Sequence, residues 1–180
     1  MSRPDILTHS GQYFDFLNPE RYNLVIEDVA HGLSNICRFT GQCLEFYSVA
    51  QHSVLLSYIV DSEIALEGLL HDSAEAFLGD VSRPLKKLLP DYRAIEERCE
   101  RAIFTKLGIG WPVPPKIKHA DMQMLHIEQR ALMAPHDDRW ECDYFPLPKG
   151  ITIWRESCLP PEEAFVAFMC RYQELVERRA

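Results

Sequence analysis

Apolar positions recur at helical spacing through most of the chain. In IEDVAHGLSNICRF, residues 26–39, Ile26, Val29, Ala30, Leu33 and Cys37 fall three or four apart, which predicts a helix ended by Gly41. YSVAQHSVLLSYIV, residues 47–60, reads as a second helix with Ser48 as N-cap. SEIALEGLLHDSAEAFLGD, residues 62–80, reads as a third, with Ser62 as N-cap and Gly79 near its end. SRPLKKLL, residues 82–89, suits one or two turns. DYRAIEERCERAIFTKLGI, residues 91–109, is amphipathic, N-capped by Asp91 and stopped by Gly108. KIKHADMQMLHIEQRALM, residues 116–133, and PEEAFVAFMCRYQELVERR, residues 161–179, read as further helices. Near the start, THSGQYFDFLNPE alternates briefly around Gly11 and Asn18–Pro19, the mark of a short hairpin or an extended arm. Residues 134–161, rich in Pro, Trp and acidic side chains, read as a long loop. That loop holds Trp140, Tyr144, Phe145 and Trp154, so it is expected to pack over something rather than hang free.

These elements predict an all-α fold with a short N-terminal β or extended element. The 180 residues fit one domain, 1–180, with a motif-bearing core at about 22–133, the loop at 134–161 and a C-terminal helix at 162–179. Such a fold favours chemistry in a cavity between helices. The formal charge of −8 sets up a field that repels phosphate backbones, so no nucleic-acid partner is expected. A few local cations can still override that field for a small anionic substrate. The six cysteines form no C-x-x-C pair, which points to reduced thiols in a cytoplasmic protein. MSRPDILTHS has no apolar stretch of signal-peptide length, and no run is long enough to span a membrane, so no membrane partner is expected.

Four polar residues sit where apolar ones belong. His52 precedes Leu55, Leu56 and Ile59 by three, four and seven residues, so it lies on the apolar stripe of its helix. Asp121 precedes Met124 and Leu125 in the same way, and His71–Asp72 follow Leu69 and Leu70 directly. Each alone has an ordinary explanation: a hydrogen-bonded core histidine, or an aspartate capping a helix start. Two His and two Asp on three inward-facing helices call for a common partner. A divalent Mn, Fe, Co, Zn or Ni ion is the simplest, since imidazole and carboxylate suit these metals.

The pattern H…HD…D, with the segments CRFTG, YSVAQHS, LLHDSAEAFLGDVSRPLK and KHAD, resembles the HD-domain metal-dependent phosphohydrolases. The likeness runs from about Ile26 to Leu125 and is nearest to the group of bacterial 5′-deoxynucleotidases and viral dATP triphosphohydrolases. It implies a single all-α HD-domain bundle, usually a homo-oligomer, with His52, His71, Asp72 and Asp121 as metal ligands. It implies a nucleotide substrate, cleaved either to nucleoside and triphosphate or to nucleoside and phosphate, with Mg on the substrate phosphates as a further possibility.

Glu75 lies four residues after His71 and three after Asp72, on the same helical face, where it could handle the proton of an activated water. A surface acid is its plain alternative. Asp80 matches an acid of the family near the scissile phosphate; its alternative is a turn residue before SRP. The resemblance assigns phosphate or substrate binding to Arg38, Lys86 and Lys118, aromatic stacking to Phe39, and base or sugar contacts to Pro84 and Asp91. Phe39 could equally be a core residue, and Asp91 a helix cap. Arg83 and Lys87 read as solvated charges, and His31, His119 and His126 as structural or surface residues. Alternatives to a nucleotide hydrolase are a non-catalytic metal-containing nucleotide sensor and an HD-type phosphodiesterase.

Overall fold

A computed structural model describes residues 3–179. Two short strands, β1 (Asp5–Leu7) and β2 (Tyr13–Asp15), pair antiparallel with Ile6 opposite Phe14. The remaining regular structure is helical: α1 (Ile26–Asn35), α2 (Val49–Ile59), α3 (Ala65–Leu70), α4 (Glu75–Leu78), α5 (Arg83–Lys86), α6 (Pro90–Leu107), α7 (Pro115–Leu132) and α8 (Pro161–Glu177). The fold is thus all-α with a small hairpin at its start, as the pattern of apolar residues predicts.

Helix α2 is the hub. Its sequence is apolar on nearly every side, and it packs against α1, α3, α7 and α8. Ser48 caps it, accepting a hydrogen bond from the Gln51 N–H at 3.1 Å. One core cluster gathers Val29, Leu33, Leu69, Leu70 and Phe168 with Phe14 of the hairpin. A second, formed by Tyr47, Leu56, Ile117, Met124 and Leu132, lies between α2 and α7. The hairpin is pinned to α1 by Asp28, which accepts from the Ser10 N–H at 2.7 Å, the Ser10 hydroxyl at 2.6 Å and the Tyr22 hydroxyl.

Helix α1 stops at Asn35, short of the expected end at Gly41: Ile36 is extended and Cys37 bridges to Ser48. Three further expectations need correction. Residues 62–80 do not form one regular helix. Ser62–Ile64 is a 3₁₀ turn preceded by Asp61, so Ser62 caps nothing. Between α3 and α4 the ladder tightens: Ser73 N–H bonds to Leu70 O at 3.0 Å, and Glu75 N–H to Asp72 O at 2.9 Å. These i→i−3 bonds leave His71 and Asp72 in a 3₁₀-like turn, a common sign of a functional site within helical structure. Second, Asp91 is not the N-cap of α6. Pro90 takes the first helical position, which suits its fixed φ and missing N–H, and Asp91 stands exposed just after it. Third, Asp121 is well inside α7, so the capping explanation for it fails.

The long loop does pack. His126 Nδ1–H donates to Phe145 O at 2.7 Å, and Gln123 donates to Pro146 O at 3.1 Å, so the loop lies along α7. Gln51 of α2 holds its far end, donating to Ser157 O at 2.7 Å and accepting from Leu159 N–H at 2.9 Å. His126 is therefore structural, and among the described residues no helix is long and apolar enough to cross a membrane.

Candidate metal centre

His52 projects from the buried hub helix and is fully buried. Its Nε2 lies 3.4 Å from His71 Nε2, 3.8 Å from Asp72 Oδ2 and 3.5 Å from Asp121 Oδ1. His71 Nε2 and Asp72 Oδ2 are 3.2 Å apart. Helix α2 and the tightened turn after α3 therefore bring His52, His71 and Asp72 together, while Asp121 of α7 reaches the cluster from the His52 side.

The donor chemistry fits one divalent ion. His71 Nδ1–H donates to Gly68 O at 2.8 Å, and His52 Nδ1–H donates to the Glu128 carboxylate at 2.6 Å. Both imidazoles thus turn Nε2 towards the centre, where two carboxylate oxygens already point. Ligands about 2.1 Å from a common ion stand roughly 3–3.4 Å apart at right-angle or tetrahedral geometry, close to the spacings found here. His52, His71 and Asp72 form the tightest group and could hold a metal ion between them. Burial alone would lower the basicity of His71, but the adjacent Asp72 outweighs it and pushes its pKa up to about 9. The same cluster holds Asp72 well below the usual carboxylate range, through His71, His52 and Arg38 acting against burial.

Acid and cationic groups surround this centre. Glu75 opens α4, and its Oε2 is buried without a hydrogen-bond partner. Burial, and then the charges of Asp72 and Asp80, hold its carboxyl well above the ordinary range. The surface-acid alternative for Glu75 is excluded. Asp80 is half-buried, and burial raises its pKa while Arg38 opposes the shift. Gly79, at φ 80°, makes the turn that brings Asp80 back from the end of α4.

Arg38 is buried at the start of a strained turn. Phe39 and Thr40 have φ of 55° and 56°, a left-handed conformation uncommon for non-glycine residues. Arg38 Nη1 lies 3.7 Å from Asp72 Oδ2, so its charge faces the centre. The Phe39 ring is half-buried, 5.7 Å from the Arg38 guanidinium and 6.2 Å from the Trp140 ring of the long loop. Lys86 is not a free cation. Its ammonium pairs with Glu96 at 2.5 Å, while lying within electrostatic reach of Glu75 and Asp72. Pro84, Asp91 and Lys118 are exposed, and among the described residues no hydrogen bond or ion pair ties Asp91 or Lys118 to the centre. Arg83, exposed as the sequence suggested, also leans towards the site. Its Nη2 is 3.5 Å from Asp121 Oδ2 and its Nη1 3.0 Å from Met122 Sδ.

The residue that sequence reasoning missed is Glu128, whose side chain is fully buried beside His52. Besides His52 it accepts from Arg38 Nε and Nη2 at 3.2 and 3.0 Å and from the Tyr47 hydroxyl at 3.0 Å. These donors outweigh the effect of burial and draw its pKa down to about 2. One signal was available: Glu128 follows Asp121 by seven residues, two helical turns on the same face.

Comparison with known proteins places this chain among relatives of like length. No family model matches it. It is 34% identical over 121 residues to an uncharacterized protein of Rhodobacter capsulatus, covering 62% of each chain. It is 40% identical over 177 residues to the uncharacterized protein YfdR of Escherichia coli K12, covering 97% of each. Identity of that order along almost the whole of both chains means that the protein belongs to the YfdR family.

Proposed function

We propose that the protein is a metal-dependent phosphohydrolase of nucleotides, deoxynucleotides in particular, of the HD-domain kind that its sequence resembles. One observation carries this reading. Three acceptor atoms, from His52, His71 and Asp72, converge with Asp121 reaching the His52 side, near Glu75, whose Oε2 is buried and unbonded, and a buried guanidinium, Arg38.

His52, His71, Asp72 and Asp121 would hold the ion. A divalent ion there supplies Lewis acidity and makes water a stronger acid at neutral pH. The remaining steps belong to the chain. Arg38 neutralises phosphate charge beside Asp72, the main electrostatic task in phosphoryl transfer. Glu75, with a buried Oε2 that has no competing bond, is the chain's candidate for handing a proton to the departing oxygen. Phe39 and Trp140 offer aromatic faces near Arg38 for a nucleobase. A substrate triphosphate would leave as triphosphate, and a monophosphate as phosphate; both produce a nucleoside.

The test is a panel of deoxynucleoside mono- and triphosphates, given to protein purified without chelator and supplied with Mn or Co, with products resolved by chromatography. Nucleoside release by the wild type and none by Asp72→Ala supports the reading. Nucleotide binding with no product would instead identify a metal-containing sensor.

A further inference from the structure

A fully buried carboxylate is costly unless charged or polar donors surround it. Glu128 has four such contacts, and they divide in a particular way. Its Oε1 accepts from His52 Nδ1–H at 2.6 Å and from the Tyr47 hydroxyl at 3.0 Å. Its Oε2 accepts from Arg38 Nε and Nη2. One oxygen thus serves the imidazole of the metal centre, and the other serves the guanidinium that faces the same centre. Asp121, two turns earlier on α7, lies on the opposite side of the imidazole, 3.5 Å from Nε2. The ring of His52 is held between two carboxylates of a single helix.

We infer that Glu128 is the positioning residue of this site: it fixes His52 as the Nδ1–H tautomer and sets the Arg38 guanidinium at a defined place relative to it. The first half requires only that the centre binds an ion. The second half rests on the phosphohydrolase reading, because Arg38 matters there as the cation for phosphate. Carboxylate partners of ligating histidines act in this way in metal proteins generally, and losing one typically weakens metal binding 10–100-fold. A buried ion pair with a purely structural role would lower stability and leave metal affinity per folded molecule unchanged.

Glu128→Gln separates the two. It retains the size of the side chain but presents an amide N–H₂ to one of the two donors, so either His52 or Arg38 loses its acceptor. Arg171→Met is the control for loss of a buried charge. Arg171 is buried on α8 and donates to the Ser57 hydroxyl at 2.9 Å and the Ser57 carbonyl at 3.1 Å, away from the centre. Chelated protein is titrated with Mn or Co by calorimetry, and folded fractions are checked by circular dichroism. Glu128→Gln is expected to bind the ion 10–100-fold more weakly, and Arg171→Met within about threefold of wild type. Equal affinity for folded Glu128→Gln and wild type would overturn the inference.

If Glu128→Gln does not fold, nitrogen-15 histidine spectra of the chelated wild type decide the matter. His52, assigned by the signal missing from His52→Asn, must appear as the Nδ1–H tautomer; an Nε2–H tautomer refutes the role. Kinetics separate the two halves. Where nucleotide is hydrolysed, Glu128→Gln should raise KM at saturating metal, and an unchanged KM removes the Arg38 half. Metal affinity that drops in a protein with no turnover would leave the His52 half standing and refute the hydrolase reading alone.

Discussion

Gly32 of α1 sits where that helix crosses α4, and replacing it by alanine should disturb both stability and the site. A methyl group there would meet Ala76 O at 2.7 Å, Ala76 Cβ at 2.8 Å and Ala76 Cα at 2.9 Å. Ordinary contact begins near 3.4 Å, so one helix must retreat by about 0.7 Å. No rotamer can relieve the clash, because the neighbours are backbone and Cβ atoms. Overpacking of this kind costs about 1–3 kcal/mol. The better helix propensity of alanine returns about 1 kcal/mol. The net expectation is a loss of about 0–2 kcal/mol. Ala76 follows Glu75 directly, so a displaced α4 carries the acid away from the centre, and turnover should fall at least tenfold. Gly68→Ala is the comparison. Its methyl group would meet Val60 Cγ2 at 3.0 Å and Leu56 Cδ2 at 3.1 Å, the movable ends of side chains, so the loss should be smaller. Urea denaturation of the three proteins, with nucleotide turnover measured beside it, makes the comparison. A Gly32→Ala protein as stable as wild type, with unchanged turnover, would refute the packing argument.

Asp28→Asn should destabilise the fold by about 2–3 kcal/mol, since three hydrogen bonds to a carboxylate are weakened at once. Hydrogen bonds from Ser10 and Tyr22 overcome burial and hold Asp28 below the ordinary carboxylate pKa. That stabilisation is therefore present above about pH 4, where an unfolded aspartate ionises, and is lost as pH falls through the folded value. Denaturation curves should show the gap between wild type and Asp28→Asn narrowing in acid; a constant gap contradicts the assignment. Glu96→Gln removes the charge that holds Lys86 at 2.5 Å, so the KM for a nucleotide should change severalfold while the bound metal does not. An unchanged KM would place Lys86 outside the substrate site. His71→Ala should lower metal content at the centre, read by elemental analysis after dialysis, because it removes one of three clustered ligands.

Much of this was readable from residue order, and the failures have physical causes. Period-3.6 apolar spacing located the helices, because burial on one face is what holds them. His52 and Asp121 stood out for the same reason, as polar groups on apolar stripes. The tightened turn at His71–Asp72 was not readable, since residues in α and 3₁₀ ladders share nearly the same dihedrals and propensities. Glu128 escaped because a glutamate on an amphipathic helix normally faces water, and the groups that satisfy it when buried, on His52, Tyr47 and Arg38, lie 76, 81 and 90 residues away. The Lys86–Glu96 pair was not readable, because the two residues lie ten apart across the turn between α5 and α6. The loop packs as expected, but its cited ties to α7 and α2 are hydrogen bonds to its backbone, while Tyr144 and Trp154, two of the aromatics behind the expectation, stand exposed.

The most direct test of the central claim measures metal occupancy and product release on the same samples. Chelated protein is reloaded in steps with Mn or Co, and at each step the ion per chain and the nucleoside released from deoxynucleotides are determined. Nucleoside release rising in proportion to occupancy, saturating at one ion per chain and absent in Asp72→Ala, is the predicted result. Full occupancy with no product from any nucleotide, or release that is indifferent to Asp72, would contradict the account.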